Sequence, residues 1–157
     1  MKLHLLRHAK TNKHADSGRD FDRKLMEKGK SQANEMAKFL TTKNWEHTVL
    51  FCSEAKRTKE TFEYIQNKNK FKEVSFYQSL YLAELRDLLE FIWKVDSKND
   101  VFIVGHNNGL SDLATYFLGE DTHLKTCTYL CISFEAEFSS EWSSDLGIIQ
   151  QVYRPEV

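Results

Sequence analysis

The 157-residue chain has no excess of charge of either sign: 22 Lys and Arg stand against 23 Asp and Glu, a formal net charge of −1. Such a balance exerts no overall pull on nucleic acid or anionic lipid, so any anion site has to be built locally. No apolar run approaches the roughly 20 residues of a membrane span, and the N-terminus lacks the long apolar core of a secretory leader. These absences predict a cytoplasmic protein with neither nucleic acid nor membrane as partner. Cysteine is sparse too. Cys52, Cys127 and Cys131 are odd in number, lie within apolar segments and show no CxxC or Cys/His ligand spacing, which predicts reduced, packed thiols. There is no Walker loop, no GxGxxG and no carboxylate cluster suited to a metal. Repeats, low-complexity tracts and linkers are missing as well. With 41% apolar and 13% aromatic residues, residues 1–157 read as a single domain with its own core.

What is present is an alternation of short apolar runs and amphipathic stripes. Leu3, Leu5 and Leu6 form a run too brief for a helix, as suits a strand buried in a sheet, and it ends at Arg7 and His8. Asn12 to Lys24 is charged, carries Gly18 and reads as a loop able to cover a site. Ala33, Met36, Ala37 and Leu40 recur at helical spacing within Glu27 to Leu40. Thr48 to Phe51 predicts a second strand, followed by a helix with Phe62 and Ile65 inward, Ser53 as its N-cap and Arg57 in its first turns. Val74 to Tyr77 and the stripe Leu85, Leu88, Leu89 and Ile92 give another βα unit. Val101 to Val104 is the strongest buried-strand signal, ending in Gly105-His106-Asn107-Asn108-Gly109 before a helix from Leu110 to Leu118. Thr126 to Glu135 and Leu146 to Tyr153 predict a closing pair of strands, the last antiparallel. The pattern specifies an α/β fold, a three-layer α/β/α sandwich with a mostly parallel mixed sheet.

Three βα junctions thus deliver Arg7 and His8, Arg57, and His106 to one edge of the sheet, where open α/β folds bind ligands. Two guanidiniums and two imidazoles converging there describe a pocket for a dianion, because the forked arginine donors match phosphoryl oxygens.

These residues resemble the Arg-His motif and its companions in the histidine phosphatase, or phosphoglycerate mutase-like, superfamily. Leu5-Leu6-Arg7-His8-Ala9-Lys10 carries the first motif. Phe21 to Gly29 resembles the "DRPL...RG" stretch of the small SixA-type phosphohistidine phosphatase branch, Ser53 to Thr61 its "SPAxRAxQT", and Val104 to Leu110 its "VGHNPGL". Thr126 to Phe134 is similar to that branch's late strand. The resemblance implies a phosphoglycerate mutase-like fold, His8 as nucleophile, Arg7, Arg57 and His106 as holders of the phosphoryl group, and Arg23 at the entrance. Ala9 stands where the first motif has Gly, and Lys24, Glu54 and Asn108 replace family prolines, which alters loop stiffness more than charge.

The chemistry is also sound on its own terms. With an ordinary pKa of about 6.5, His8 is mostly unprotonated at neutral pH, and neighbouring arginines discourage protonation further. It is therefore available as a nucleophile that divides one displacement into two through a phosphohistidine. The arginines and His106 supply the charge that a metal supplies elsewhere, so neither metal nor cofactor is required. The resemblance implies a general acid after the third strand, for which Glu84 is the one well-placed candidate near the substrate, although it reads slightly better as an acid complementing a helix N-terminus. The substrate expected is phosphohistidine in a phosphorylated protein. A small phosphorylated metabolite, and a non-catalytic phosphate- or phosphohistidine-binding module, remain as alternatives.

Overall fold

A computed structural model describes all residues, 1–157. Six strands form one sheet in the order β3-β2-β4-β1-β5-β6, where β1 is Lys2–Arg7, β2 Thr48–Ser53, β3 Glu73–Tyr77, β4 Asp100–Gly105, β5 Tyr129–Ser133 and β6 Ile148–Tyr153. The first four strands run parallel, while β5 is antiparallel to both β1 and β6. The four helices are α1 (Glu27–Leu40), α2 (Lys56–Gln66), α3 (Leu85–Val95) and α4 (Gly109–Leu118).

The period of two along β1 explains the layers. Leu3 and Leu5 face one side, where they join Leu88, Leu89 and Ile92 of α3 and Leu113 and Phe117 of α4 in one core. Leu6 faces the other, in a second core with Ala33, Met36, Ala37 and Leu40 of α1 and Phe62 and Ile65 of α2. Each fully buried Leu or Ile contributes roughly 1.5–3 kcal/mol, and two such cores clamp the sheet from both faces. The result is an α/β/α sandwich.

Two close approaches set where the strand tips lead. A Cβ on Gly29 would lie 1.9 Å from the Lys10 carbonyl oxygen, so only glycine lets α1 press against the turn after β1. A Cβ on Gly109 would lie 2.0 Å from the Ala83 carbonyl oxygen, which fixes the start of α4 against the segment before α3. The three cysteines are buried free thiols. No helix is long and apolar enough to cross a membrane.

Candidate active site

The strand order does the assembling. β4 lies between β2 and β1, with Arg7 opposite Gly105 and Cys52 opposite Val104 in register. Their C-terminal tips are therefore neighbours, at the roughly 4.8 Å spacing of adjacent strands. Arg7 and His8 leave β1, His106 leaves β4, and Arg57 stands in the first turn of α2 just after β2. Together with Lys10, Asp20, Arg23, Asn107 and others they line a cavity of about 410 Å³.

His8 is 7% exposed. Its Nδ1 lies 2.8 Å from the carbonyl oxygen of Ala9, which only accepts, so Nδ1 carries the proton and the Nε2 lone pair is free. Burial, together with Arg57, Arg7 and Arg23, pushes its pKa down to about 3 against the opposing Ala9 bond. The ring stays neutral. The fold braces this turn: the Ala9 amide donates to Thr61 Oγ1 at 3.1 Å, which itself donates to the Arg57 carbonyl at 2.7 Å. One threonine of α2 thereby ties the residue after His8 to the helical turn that bears Arg57.

The His106 ring centre is 5.4 Å from that of His8. Burial first, then His8 and Arg57, push its pKa down to about 2. Its Nε2 meets Ser53 Oγ at 2.7 Å, while Ser53 Oγ accepts the Ala55 amide at 3.3 Å. The serine hydroxyl is then free to donate to Nε2, the tautomer in which His106 carries its proton on Nδ1. That nitrogen, like Nε of Arg7 and of Arg57, is buried and has no hydrogen-bond partner. Buried donors without acceptors are uncommon and costly. All three belong to residues that line the cavity.

Ser53 corrects the sequence reading. It is not the cap of α2: the β2–β3 ladder continues through the pair Ser53–Tyr77, so α2 starts at Lys56 with Ala55 in the cap position and no side-chain cap bond. Its hydroxyl serves His106 instead.

Asp20, passed over within the charged loop, is the main residue that sequence reasoning missed. It sits in a single helical turn, Asp20–Asp22. Its backbone oxygen accepts from Arg57 Nη1 at 2.9 Å, and its carboxylate accepts from Arg57 Nη2 at 3.0 Å, Arg23 Nη1 at 2.9 Å and Tyr81 Oη at 2.5 Å. Burial alone would raise its pKa, but bonds from Tyr81, Arg23 and Arg57 outweigh that and hold the carboxyl well below the usual range. Arg23 is anchored further by Asn12 O at 2.8 Å and Thr11 Oγ1 at 2.6 Å. The available signal was position: an acid three residues before Arg23 on the loop leaving β1.

Glu84 is a second correction. It is exposed, occupies the N-cap position of α3 and is absent from the cavity lining; its amide donates to the Asp87 carboxylate at 3.3 Å. Its position is that of a helix-start acid, apart from the residues around His8. No three His, Cys, Asp or Glu side chains gather so as to hold a metal ion.

A mostly parallel sheet with two histidines and two arginines gathered at the tips of its inner strands defines an α/β protein built around a cationic cavity. The chain belongs to the histidine phosphatase superfamily (branch 1), whose family model matches residues 3–88. It is 30% identical over 158 residues to an uncharacterised chloroplastic protein of Arabidopsis thaliana, covering 94% of this chain and 71% of that one. Its fold is similar to that of a protein assigned as the phosphohistidine phosphatase SixA of Nakamurella multipartitia, at 21% identity and a TM-score of 0.83, over 99% of this chain and 96% of that one. It is also similar to the protein histidine phosphatase SixA solved with tungstate, at 14% identity and a TM-score of 0.79, over 98% and 97% of the two chains.

Proposed function

We propose that residues 1–157 act as one histidine phosphatase domain of the SixA type, hydrolysing phosphohistidine in proteins through a covalent intermediate on His8. The observation that carries this reading is the protonation geometry of His8: its Nδ1 proton is committed to Ala9, its ring is neutral, and its free Nε2 belongs to a cavity lined by Arg7, Arg57 and His106. Nε2 attacks phosphorus as the bond to the leaving group breaks, and a protonated phosphoimidazole departs as neutral imidazole. Water then attacks the phosphorus of the intermediate, the P–N bond to His8 breaks, and inorganic phosphate is formed. Arg7, Arg57 and His106 spread the equatorial charge in both steps. Arg23 steadies the loop at the entrance.

Leaving-group chemistry favours phosphohistidine over alkyl phosphates. The one carboxylate in the lining is Asp20, which the arginines hold ionised, so no side chain is poised to protonate an alkoxide. The reaction also needs no metal, since the cationic groups are side chains. The test is single-turnover mixing with a labelled phosphohistidine peptide in excess EDTA, quenched in alkali. A base-stable, acid-labile phosphoenzyme that decays to phosphate is the expected result. Complex formation without phosphoenzyme would turn the reading into that of a binding module, and equally rapid turnover of alkyl phosphates would turn it into that of a metabolite phosphatase.

A further inference from the structure

Beside the catalytic cavity lies a second, larger groove of about 730 Å³. The two share Leu82, which is half exposed, and they are continuous along the chain: Asn107 lines the first and Asn108 the second. Leu85, Leu89 and Trp93 of α3 provide apolar surface, and Glu84, Glu90 and Asp112 provide acid. Glu90 is paired with Arg86 at 3.1 Å. Glu84 and Asp112 have no basic side chain within ion-pairing distance of 4.0 Å. An acidic, apolar-walled groove therefore adjoins a cationic, polar cavity.

A groove so lined suits a polypeptide segment that carries both an apolar side chain and a cation. We infer that the groove binds a segment of the phosphorylated substrate protein carrying an apolar side chain and a Lys or Arg beside the phosphorylated residue. The apolar side chain packs on Leu85, Leu89 and Trp93, and the cation pairs with Glu84 and Asp112. The inference rests on the reading of the substrate as a phosphorylated protein. It adds a recognition element to it: the phosphoryl group is drawn to the arginines while flanking positive charge is drawn to α3 and the start of α4, so the opposed charges of the two sites orient the chain. An acidic flanking segment is repelled from the groove.

The experiment compares three substrates: free phosphohistidine, a phosphohistidine peptide flanked by Leu and Arg, and one flanked by Ser and Glu. The expected result is a kcat/KM for the Leu/Arg peptide at least about tenfold above that for the Ser/Glu peptide. In the double variant Glu84→Lys, Asp112→Lys that preference is lost or inverted, relative to free phosphohistidine as the internal standard. Should charge reversal disturb the fold, the milder pair Glu84→Gln, Asp112→Asn is expected to reduce the preference by a smaller factor. Titrating the unphosphorylated Leu/Arg peptide into the protein by calorimetry reads the groove independently of catalysis, with weaker binding expected in both variants. A peptide preference and an affinity that the variants leave unmoved would overturn the groove, even with phosphohistidine hydrolysed. Absence of hydrolysis of all three substrates, with peptide binding still sensitive to the variants, would instead overturn the catalytic reading and leave the groove standing.

Discussion

His4 and His8 lie four residues apart, one within β1 and the other just beyond its tip, and by the usual indicators they are hard to tell apart. They are 4% and 7% exposed, and burial pushes the pKa of each down to about 3. Their surroundings differ completely. The His4 ring is enclosed by Trp45, Phe102 and Tyr129 at centroid distances of 4.9, 5.6 and 5.9 Å, and its Nδ1 meets the Tyr129 hydroxyl at 2.7 Å. The His8 ring abuts a cavity shared with three arginines and a second histidine. Burial and a perturbed pKa therefore mark a histidine as desolvated, not as functional. What separates the two is whether the desolvated ring has a neighbouring space for a reactant and charges suited to it.

The sharpest way to break this comparison is by truncation. His8→Ala is expected to lower turnover of a phosphohistidine peptide by at least about 1,000-fold, equivalent to roughly 4 kcal/mol of lost transition-state stabilisation. Its melting temperature should stay near the parent's, because the ring adjoins a cavity rather than filling the core. A variant with parental activity would remove the covalent mechanism. His4→Ala should do the reverse, costing about 2–4 kcal/mol of stability and lowering the melting temperature by roughly 5–15 °C. Its kcat, measured well below that temperature, should remain within a few-fold of the parent's. Calorimetry and a peptide assay on both variants decide the matter.

Titration provides a smaller effect on which the two histidines should agree. His4, His8 and His106 are all neutral in the folded protein, with pKa values near 3, 3 and 2, whereas each takes up a proton near pH 6.5 in the unfolded chain. Below that pH the unfolded state binds more protons, so stability is fully present at neutral pH and falls as pH drops from about 6.5 toward 3. At pH 5.5 each ring contributes a loss of about 1.4 kcal/mol. Urea unfolding at pH 7.5 and 5.5 should show the fall, and His4→Ala or His8→Ala should each reduce it by about one third. An unchanged difference in either variant would mean that its ring titrates in the fold as it does in the unfolded chain.

The smallest effect is expected at Glu84. Glu84→Gln should change hydrolysis of free phosphohistidine by less than about twofold, since the side chain lies outside the catalytic cavity and the leaving imidazole needs no donor there. A general acid would instead reveal itself by a loss of roughly 100-fold or more on substrates with poor leaving groups. Steady-state rates on free phosphohistidine and on an alkyl phosphate distinguish the two.

Legibility in the sequence followed periodicity. Helix α1 spans Glu27–Leu40, the segment whose apolar stripe predicted it, and β4 is the buried run Val101 to Val104 extended by one residue at each end. Arg7, His8, Arg57 and His106 were legible because strand tips are predictable once the strands are. Asp20 was not, because its partners, Arg23 apart, come from distant segments: Arg57 lies 37 and Tyr81 61 residues away. Ser53 was misread because a serine between strand and helix satisfies the local rule for a cap, while its actual partner, His106, is 53 residues on. The groove on α3 was equally hidden. Its stripe announces a core-facing helix, and only the assembled layers reveal that Trp93 stays partly exposed.

Asp20 has one more bearing, on how a catalytic cycle ends. Arg57 is 3% exposed, so an anion departing from beside it would leave a guanidinium stripped of both water and counter-charge, and that penalty would act to retain the product. The loop after β1 supplies its own replacement, a backbone carbonyl on Nη1 and a carboxylate on Nη2. On the proposed reaction, dissociation of phosphate would be an exchange of one anion for another already tethered to the protein. Asp20 is thus a resident counter-ion for Arg57, supplied by the chain itself.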